Sequence, residues 1–375
     1  MKPAIPILLI AFLGAPAIYA EDRSRPRFQC INGSDRTIEV FWIREDQQRI
    51  SNGKIAPGGQ ATIDTQIGHQ FAIVDSIDQS ERIVECSMRI QAFRYESADP
   101  HGIPAFYTQR VFAHGYPIVG SANVSPHALH EAAFWIDQML AHRPDIRDAM
   151  IQSGSRLCVI AWNEFTTDLP EFSWLGNDPV AELPSVNPKD YWDARARGLG
   201  GSESDPLCSC GEENLLAYPG DPYSSECILI HEFAHNIHLR GLVNIDPTFD
   251  GRLKTAYQQA VKAGLWKGKY ASVNHHEYFA EGVQSWFNNN RENDHDHNHV
   301  NTREELEQYD PLLAAICKEV FGETHIVYTK PPTRLQGHLQ DYDPREAPEF
   351  RWPKRLEQAH ERILESARKR SEGKP

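Results

Sequence analysis

Cys227-Ile-Leu-Ile-His-Glu-Phe-Ala-His-Asn-Ile-His238 decides how the rest of the chain is read. Within it lie His231, Glu232 and His235. Residues four apart in an α-helix share a face and sit about 6 Å apart along the axis. Two imidazoles so placed can hold one zinc ion, and the glutamate between them can reach a water bound to that ion. Two histidines still leave a catalytic zinc one protein ligand short, with a further position kept for water. Either the chain supplies a third ligand elsewhere, or the pattern is a helix that happens to carry two histidines.

A third histidine does not follow at short spacing. The metzincin arrangement needs glycine at 238 and histidine at 241, and the chain has His238 and Gly241 there. Downstream, Tyr270-Ala-Ser-Val-Asn-His-His-Glu-Tyr-Phe-Ala-Glu281 runs on as Gly-Val-Gln-Ser-Trp-Phe287, placing Glu277 and Glu281 one helical turn apart. Tyr278, Phe279, Ala280, Val283 and Trp286 flank them, so this second helix is expected to be buried. A buried carboxylate pair is costly unless a cation or hydrogen bonds compensate. If this helix packs across the first, Glu277 can serve as the third metal ligand. Glu281 then accepts the hydrogen bond from the free ring nitrogen of a ligating histidine, which fixes tautomer and ring orientation. The polar stretch Asp294-His-Asp-His-Asn-His299 reads instead as a solvated loop.

His231-Glu-Phe-Ala-His235 followed by Glu277-Tyr-Phe-Ala-Glu281, with Tyr270 seven residues before Glu277, resembles the gluzincin metalloproteases. Within them it is most similar to the anthrax-lethal-factor-like catalytic domain, over residues 225–290. The resemblance implies a zincin-like catalytic domain with a Zn²⁺ cofactor, Glu232 as general base, and Tyr270 beside the metal as donor to the developing oxyanion. Two neutral imidazoles and one carboxylate leave such a site near a single positive charge, which lowers the pKa of bound water toward ~7. The expected activity is hydrolysis of peptide bonds in a protein or peptide substrate. A non-peptide amide or a glycan-linked substrate would use the same ligands. The complete set of ligands, base and tyrosine disfavours an inactive zincin-fold binding protein.

Upstream, residues 27–95 read as β structure. Ile38, Val40 and Trp42 fall on one face at period two, and Ser51-Asn-Gly53 and Ala56-Pro-Gly-Gly59 carry turn chemistry. Several short strands so punctuated make a small β-sandwich. The order Asn32-Gly-Ser34, Trp42-Ile43, Ala56-Pro-Gly58 and Gly68-His69-Gln-Phe71 resembles the β domain of the von Hippel–Lindau tumour suppressor. That resemblance implies peptide or protein binding, with Trp42 and His69 at pocket positions. Asn52, Thr65 and Phe71 depart from that pocket, and a structural or general protein-binding sandwich is the stronger reading.

The whole chain is therefore expected to be α+β, a small β-sandwich followed by a mainly helical catalytic domain. Residues 96–120 read as a linker and 121–345 as the catalytic domain. Ser125-Pro126 is a helix start, Pro144–Gln152 a second helix, and Arg156–Trp162 an apolar strand. Trp192–Gly201 reads as a tight loop near the cleft. Glu212–Tyr218 reads as an edge strand along which substrate backbone could add. Helices follow over Leu253–Trp266 and Leu306–Phe321, the latter broken near Pro311. Residues 346–375 form a charged, exposed helical tail.

Composition narrows the partners. The formal charge of −14, from 38 basic and 52 acidic residues, disfavours nucleic acid and anionic membranes, both of which would repel the chain. Lys2, the apolar run Ile5–Leu13 and small residues up to Ala20 read as a cleavable secretory signal over residues 1–20, too short to span a bilayer. Secretion to an extracellular or periplasmic space, without stable membrane insertion, is thus expected. All 7 cysteines fall after that segment, consistent with an oxidising compartment. Cys30 and Cys86 bracket the first module and could close it, although pairing cannot be read from sequence.

Overall fold

The computed structural model describes residues 25–371; the signal segment read over residues 1–20 lies outside the described residues. Seven strands come first: β1 (Arg27–Asn32), β2 (Ile38–Ile43), β3 (Arg49–Ile55), β4 (Gln60–Asp64), β5 (Gln70–Asp75), β6 (Glu81–Glu85) and β7 (Ile90–Tyr95). They form two sheets, ordered β4-β1-β7 and β3-β2-β5-β6. Ile38 and Val40 of β2 alternate into the core with Phe28 and Cys30 of β1 and Phe71 and Ile73 of β5. Phe28 stacks on Phe71 at 4.7 Å, joining the two sheets. Cys30 and Cys86 lie in this core as thiols, and all seven cysteines of the chain are buried and unpaired.

The next segment corrects the expected linker. Gln109–Ala113 (β8) and Tyr116–Gly120 (β9) form a hairpin that opens a five-stranded sheet. His114 (φ 46°) and Gly115 (φ 93°) make its two-residue turn, with the positive φ angles that match strand twist. A His-Gly turn carries a weaker signal than Asn-Gly, so the hairpin hid in the sequence. After α1 (Pro126–Met139) and α2 (Pro144–Gln152), β10 (Arg156–Ile160) enters beside β9 in parallel. Then come α3 (Pro188–Arg195), β11 (Gly198–Leu199) and β12 (Leu207–Gly211), giving the order β11-β12-β10-β9-β8.

β10 is buried along its whole length, as a central parallel strand covered on both faces should be. Leu157 and Val159 face the helical core, while Cys158 and Ile160 face a second cluster with Tyr107, Leu169 and Phe172. Burying an aliphatic side chain of this size stabilises the fold by ~1.5–3 kcal/mol.

Glu212–Tyr218 is not an edge strand. Glu212–Leu215 is a single helical turn, α4. Glu212 accepts the backbone N–H groups of Ser125 and Trp162, and buried Arg197 clamps Glu213 through Nε at 2.6 Å and Nη2 at 2.8 Å. These fixed carboxylates favour a turn over an extended strand.

The remaining helices are α5 (Ile228–Asn236), a π-helical turn (Ile237–Leu242), α6 (Val243–Ile245), α7 (Phe249–Lys262), α8 (His275–Trp286), α9 (Arg303–Tyr309), α10 (Pro311–Phe321) and α11 (Lys354–Ser371). The break at Pro311 occurs as read, since proline is tolerated in the first turn of a helix, and the Asp310 side chain caps Leu313 N–H at 3.1 Å. The tail is less exposed than expected: Leu356, Ala359 and Ile363 recur at helical spacing and bury against Tyr191, Ala194 and Phe165.

The β module is also more than strung on. Asn244 accepts the N–H of Ile90 at 2.8 Å and donates to its carbonyl at 3.1 Å, and Gln29 donates to Ser204 O at 2.6 Å. The result is a mixed protein with sheets leading and helices following. No described helix is long and apolar enough to cross a membrane.

Candidate metal centre

Every residue of α5 is buried, and so is α8 from Glu277 to Trp286. An all-round buried helix can carry histidine and glutamate only if something answers their polarity. Asn274 fixes where α8 begins, accepting the N–H groups of His276 at 2.8 Å and Glu277 at 3.0 Å. Glu277 therefore stands in a first turn, where the helix dipole favours a carboxylate.

The two helices pack so that three ligand atoms converge. Glu277 Oε2 lies 3.1 Å from His231 Nε2 and 3.4 Å from His235 Nε2, and the two nitrogens are 3.3 Å apart. Four ligands at ~2.0–2.1 Å from a tetrahedral zinc ion stand roughly 3.3–3.4 Å from each other. The triangle therefore matches one face of such a site, and these residues could hold a metal ion.

The electrostatics point the same way. Burial opposes charge on His231, but its hydrogen bond with Glu277 and the charges of Glu232, Glu277 and Glu281 more than offset that, pushing it up to about 10. Burial likewise opposes charge on Glu277, yet the two imidazoles hold it down at about 2. Burial is the leading effect on Glu232, whose carboxyl is pushed up to about 7. Three buried carboxylates thus favour positive charge at this position.

Behind the triangle, the sequence reading gives the role of orienting the histidine to Glu281. The nearer partner is Gln284, whose Oε1 is 2.9 Å from His231 Nδ1, against 3.5 Å for Glu281 Oε1. Gln284 Nε2 donates to Glu226 Oε2 at 2.9 Å. Because that bond fixes which end of the amide is oxygen, His231 Nδ1 carries a hydrogen, and Nε2 is the nitrogen that faces the metal position. Glu281 is held in turn by Asn290 Nδ2 at 3.1 Å and His297 Nε2 at 3.2 Å.

His297 belongs to the stretch read as a solvated loop, and that reading fails. Asp296 and His297 are buried. Asp294 caps the turn by accepting the N–H groups of Asp296 and His297, each at 2.8 Å, and pairs with Arg291. Asp296 O accepts the N–H of Tyr270 at 2.8 Å, so the stretch straps Tyr270 as well as Glu281. Sequence reasoning missed Gln284, Glu226, Asn290 and His297. Only the clustering of Asp and His around His297 gave a visible signal.

Glu232 Oε1 and Tyr270 OH are buried with no hydrogen-bond partner, as is Glu226 Oε1 behind Gln284, which has Arg291 Nη1 at 3.5 Å. Leaving a buried group unpaired costs ~1–3 kcal/mol, and unpaired groups in native folds call for a reason such as catalysis. Burial pushes the Tyr270 phenol well above its usual value, so it is a neutral O–H donor. The Tyr270 and His231 rings are 6.1 Å apart.

The glycine-ended segment read as a loop near the cleft includes β11, an outer strand of the five-stranded sheet. A Cβ on Gly198 would meet Glu232 Cγ at 3.2 Å, and one on Gly200 would meet His235 Cβ at 2.8 Å. The sheet edge beside the triad is therefore residues 198–199, not 212–218. Trp42 and His69 do come together, with rings 4.9 Å apart, but on the β module rather than at the triad.

No family model matches the chain, and no curated protein matches it.

Proposed function

We propose that this chain is a secreted, zinc-dependent endopeptidase of the gluzincin kind, with a zincin-like catalytic domain resembling that of anthrax lethal factor. One observation carries the reading. A ligand triangle with 3.1, 3.3 and 3.4 Å sides shares its surroundings with two buried, unpartnered groups, Glu232 Oε1 and Tyr270 OH. Zinc held by His231, His235 and Glu277 would supply a Lewis acid and lower the pKa of water.

The chain's own groups do the rest. Glu232, buried with Oε1 unpartnered, accepts a proton from the attacking water and returns it to the leaving amine. Tyr270 donates its O–H to the oxyanion as charge develops there. Gln284 and Glu226 keep His231 in one tautomer and one orientation. An extended substrate backbone adds along β11, the outer strand that Gly198 and Gly200 let pack directly against Glu232 and His235. Trp42 and His69 give the β module a protein- or peptide-binding face.

The test is a peptide-library digest by the purified full chain. Cleavage should stop with a chelator, return with Zn²⁺, and be missing in Glu232→Gln. Hydrolysis only of non-peptide amides would move the same site to another substrate class. Chelator-insensitive cleavage would falsify the metal mechanism.

A further inference from the structure

His238 looks like a spare residue of the metal-binding helix, yet it is fully buried within a second cluster. After α5 the helix widens into the π-turn Ile237–Leu242, a local irregularity that often marks functional positions. The turn presents His238 to the first turn of α7, which carries Asp250, and the first turn of α8, which carries His275 and His276.

Asp250 Oδ1 lies 3.1 Å from His238 Nε2 and 2.9 Å from His275 Nε2. His276 Nδ1 lies 3.4 Å from the other ring nitrogen of His238, Nδ1, so an ion held by all three residues uses one of the two His238 nitrogens. One ligand atom each from His238, Asp250 and His276 can be chosen so that all lie within 4.8 Å. We propose that His238, Asp250 and His276 form a second binding site for one divalent first-row transition-metal ion, with His275 holding Asp250 in place.

Imidazoles with a single carboxylate select zinc and its neighbours over calcium and magnesium, which prefer all-oxygen cages. An ion can enter from the solvent side, where Asp250 and His275 keep 31 % and 16 % of their side-chain surface exposed, while His238 closes the inner side at 0 %. In this position it would tie the π-turn to the starts of α7 and α8. Its ligand atoms are more loosely gathered than those of the first triad, within 4.8 Å of one another against 3.4 Å, so this ion is the more weakly held. The site stands apart from the peptidase reading, since neither Glu232 nor Tyr270 belongs to it.

The experiment is elemental analysis of the full chain after dialysis against buffered Zn²⁺, followed by stepwise chelation. Wild type should bind two ions per chain and lose one first. Asp250→Asn and, separately, His276→Gln should each bind one ion and keep the tighter of the two. Glu277→Gln should lose the tighter ion and keep the weaker. One ion in wild type that survives Asp250→Asn and disappears in Glu277→Gln overturns the second site alone. Zero ions in wild type overturns both. If His276→Gln fails to fold, Asp250→Asn carries the test from its half-exposed position; two ions retained there also refutes the assignment.

Discussion

His231 and His235 on α5 and Glu277 on α8 lie beside His238, on the π-turn that continues α5, and His276, also on α8, yet the surroundings of the two clusters differ. Around the first triad, Gln284, Glu226 and Glu281 fix a ring from behind, and Glu232 and Tyr270 stand nearby unpaired. Around the second, the members bond chiefly to one another, and the cluster is half open to solvent. The contrast separates binding from chemistry. Three ligands suffice to hold an ion, whereas catalysis needs buried groups left unsatisfied until substrate arrives.

The strongest way to break that contrast is Glu232→Gln. Cleavage should fall by at least ~10²–10⁴-fold, the usual worth of a general acid–base group, while both ions stay bound. Measured turnover near the wild-type rate would remove the chemical distinction between the clusters. Tyr270→Phe should cost about 10²–10³-fold in kcat, as loss of one oxyanion donor does, again with metal content unchanged. A rate unaffected by this change would make the buried phenol structural.

Gln284→Leu should weaken zinc binding at the first triad by ~10–100-fold without touching the second cluster. Competition with a chromophoric chelator reads that directly. Gly200→Ala should produce a smaller loss at the same place, because its new Cβ would sit 2.8 Å from His235 Cβ and force the ligand to shift. Equal affinities in wild type and Gly200→Ala would mean that the segment yields instead.

The pH dependence has a definite sign. In the metal-free site His231 is raised to about 10, so near neutral pH an incoming ion must expel its proton. Affinity at the first triad should therefore rise with pH up to about 10, approaching tenfold per unit if one proton is released. Calorimetry in two buffers of different ionisation enthalpy counts that proton; proton-neutral binding would contradict the assigned charge state.

The ligands were legible because each rests on local periodicity. His231 and His235 share a helical face, and the apolar residues around Glu277 and Glu281 demand burial. The residues that orient them were not legible. Gln284 matters only because α5 crosses α8 at one angle, and Glu226 only because it fixes the amide of Gln284. Polar composition around His297 suggests solvent, whereas Arg291 and Asp294 neutralise each other and let the loop fold inward. Among the strands, β2 announces itself by alternation. β8 and β9 do not, since their turn is His-Gly and their flanks mix polar with apolar residues. At 212–218, composition alone cannot tell a helical turn held by Arg197 from an edge strand.

The most direct measurement is zinc-edge anomalous scattering from crystals of the zinc-loaded protein. A peak about 2.0–2.2 Å from His231 Nε2, His235 Nε2 and a Glu277 oxygen is the predicted result. Zinc found only at His238 and Asp250, or held without Glu277, would contradict the ligand set on which the proposed activity depends.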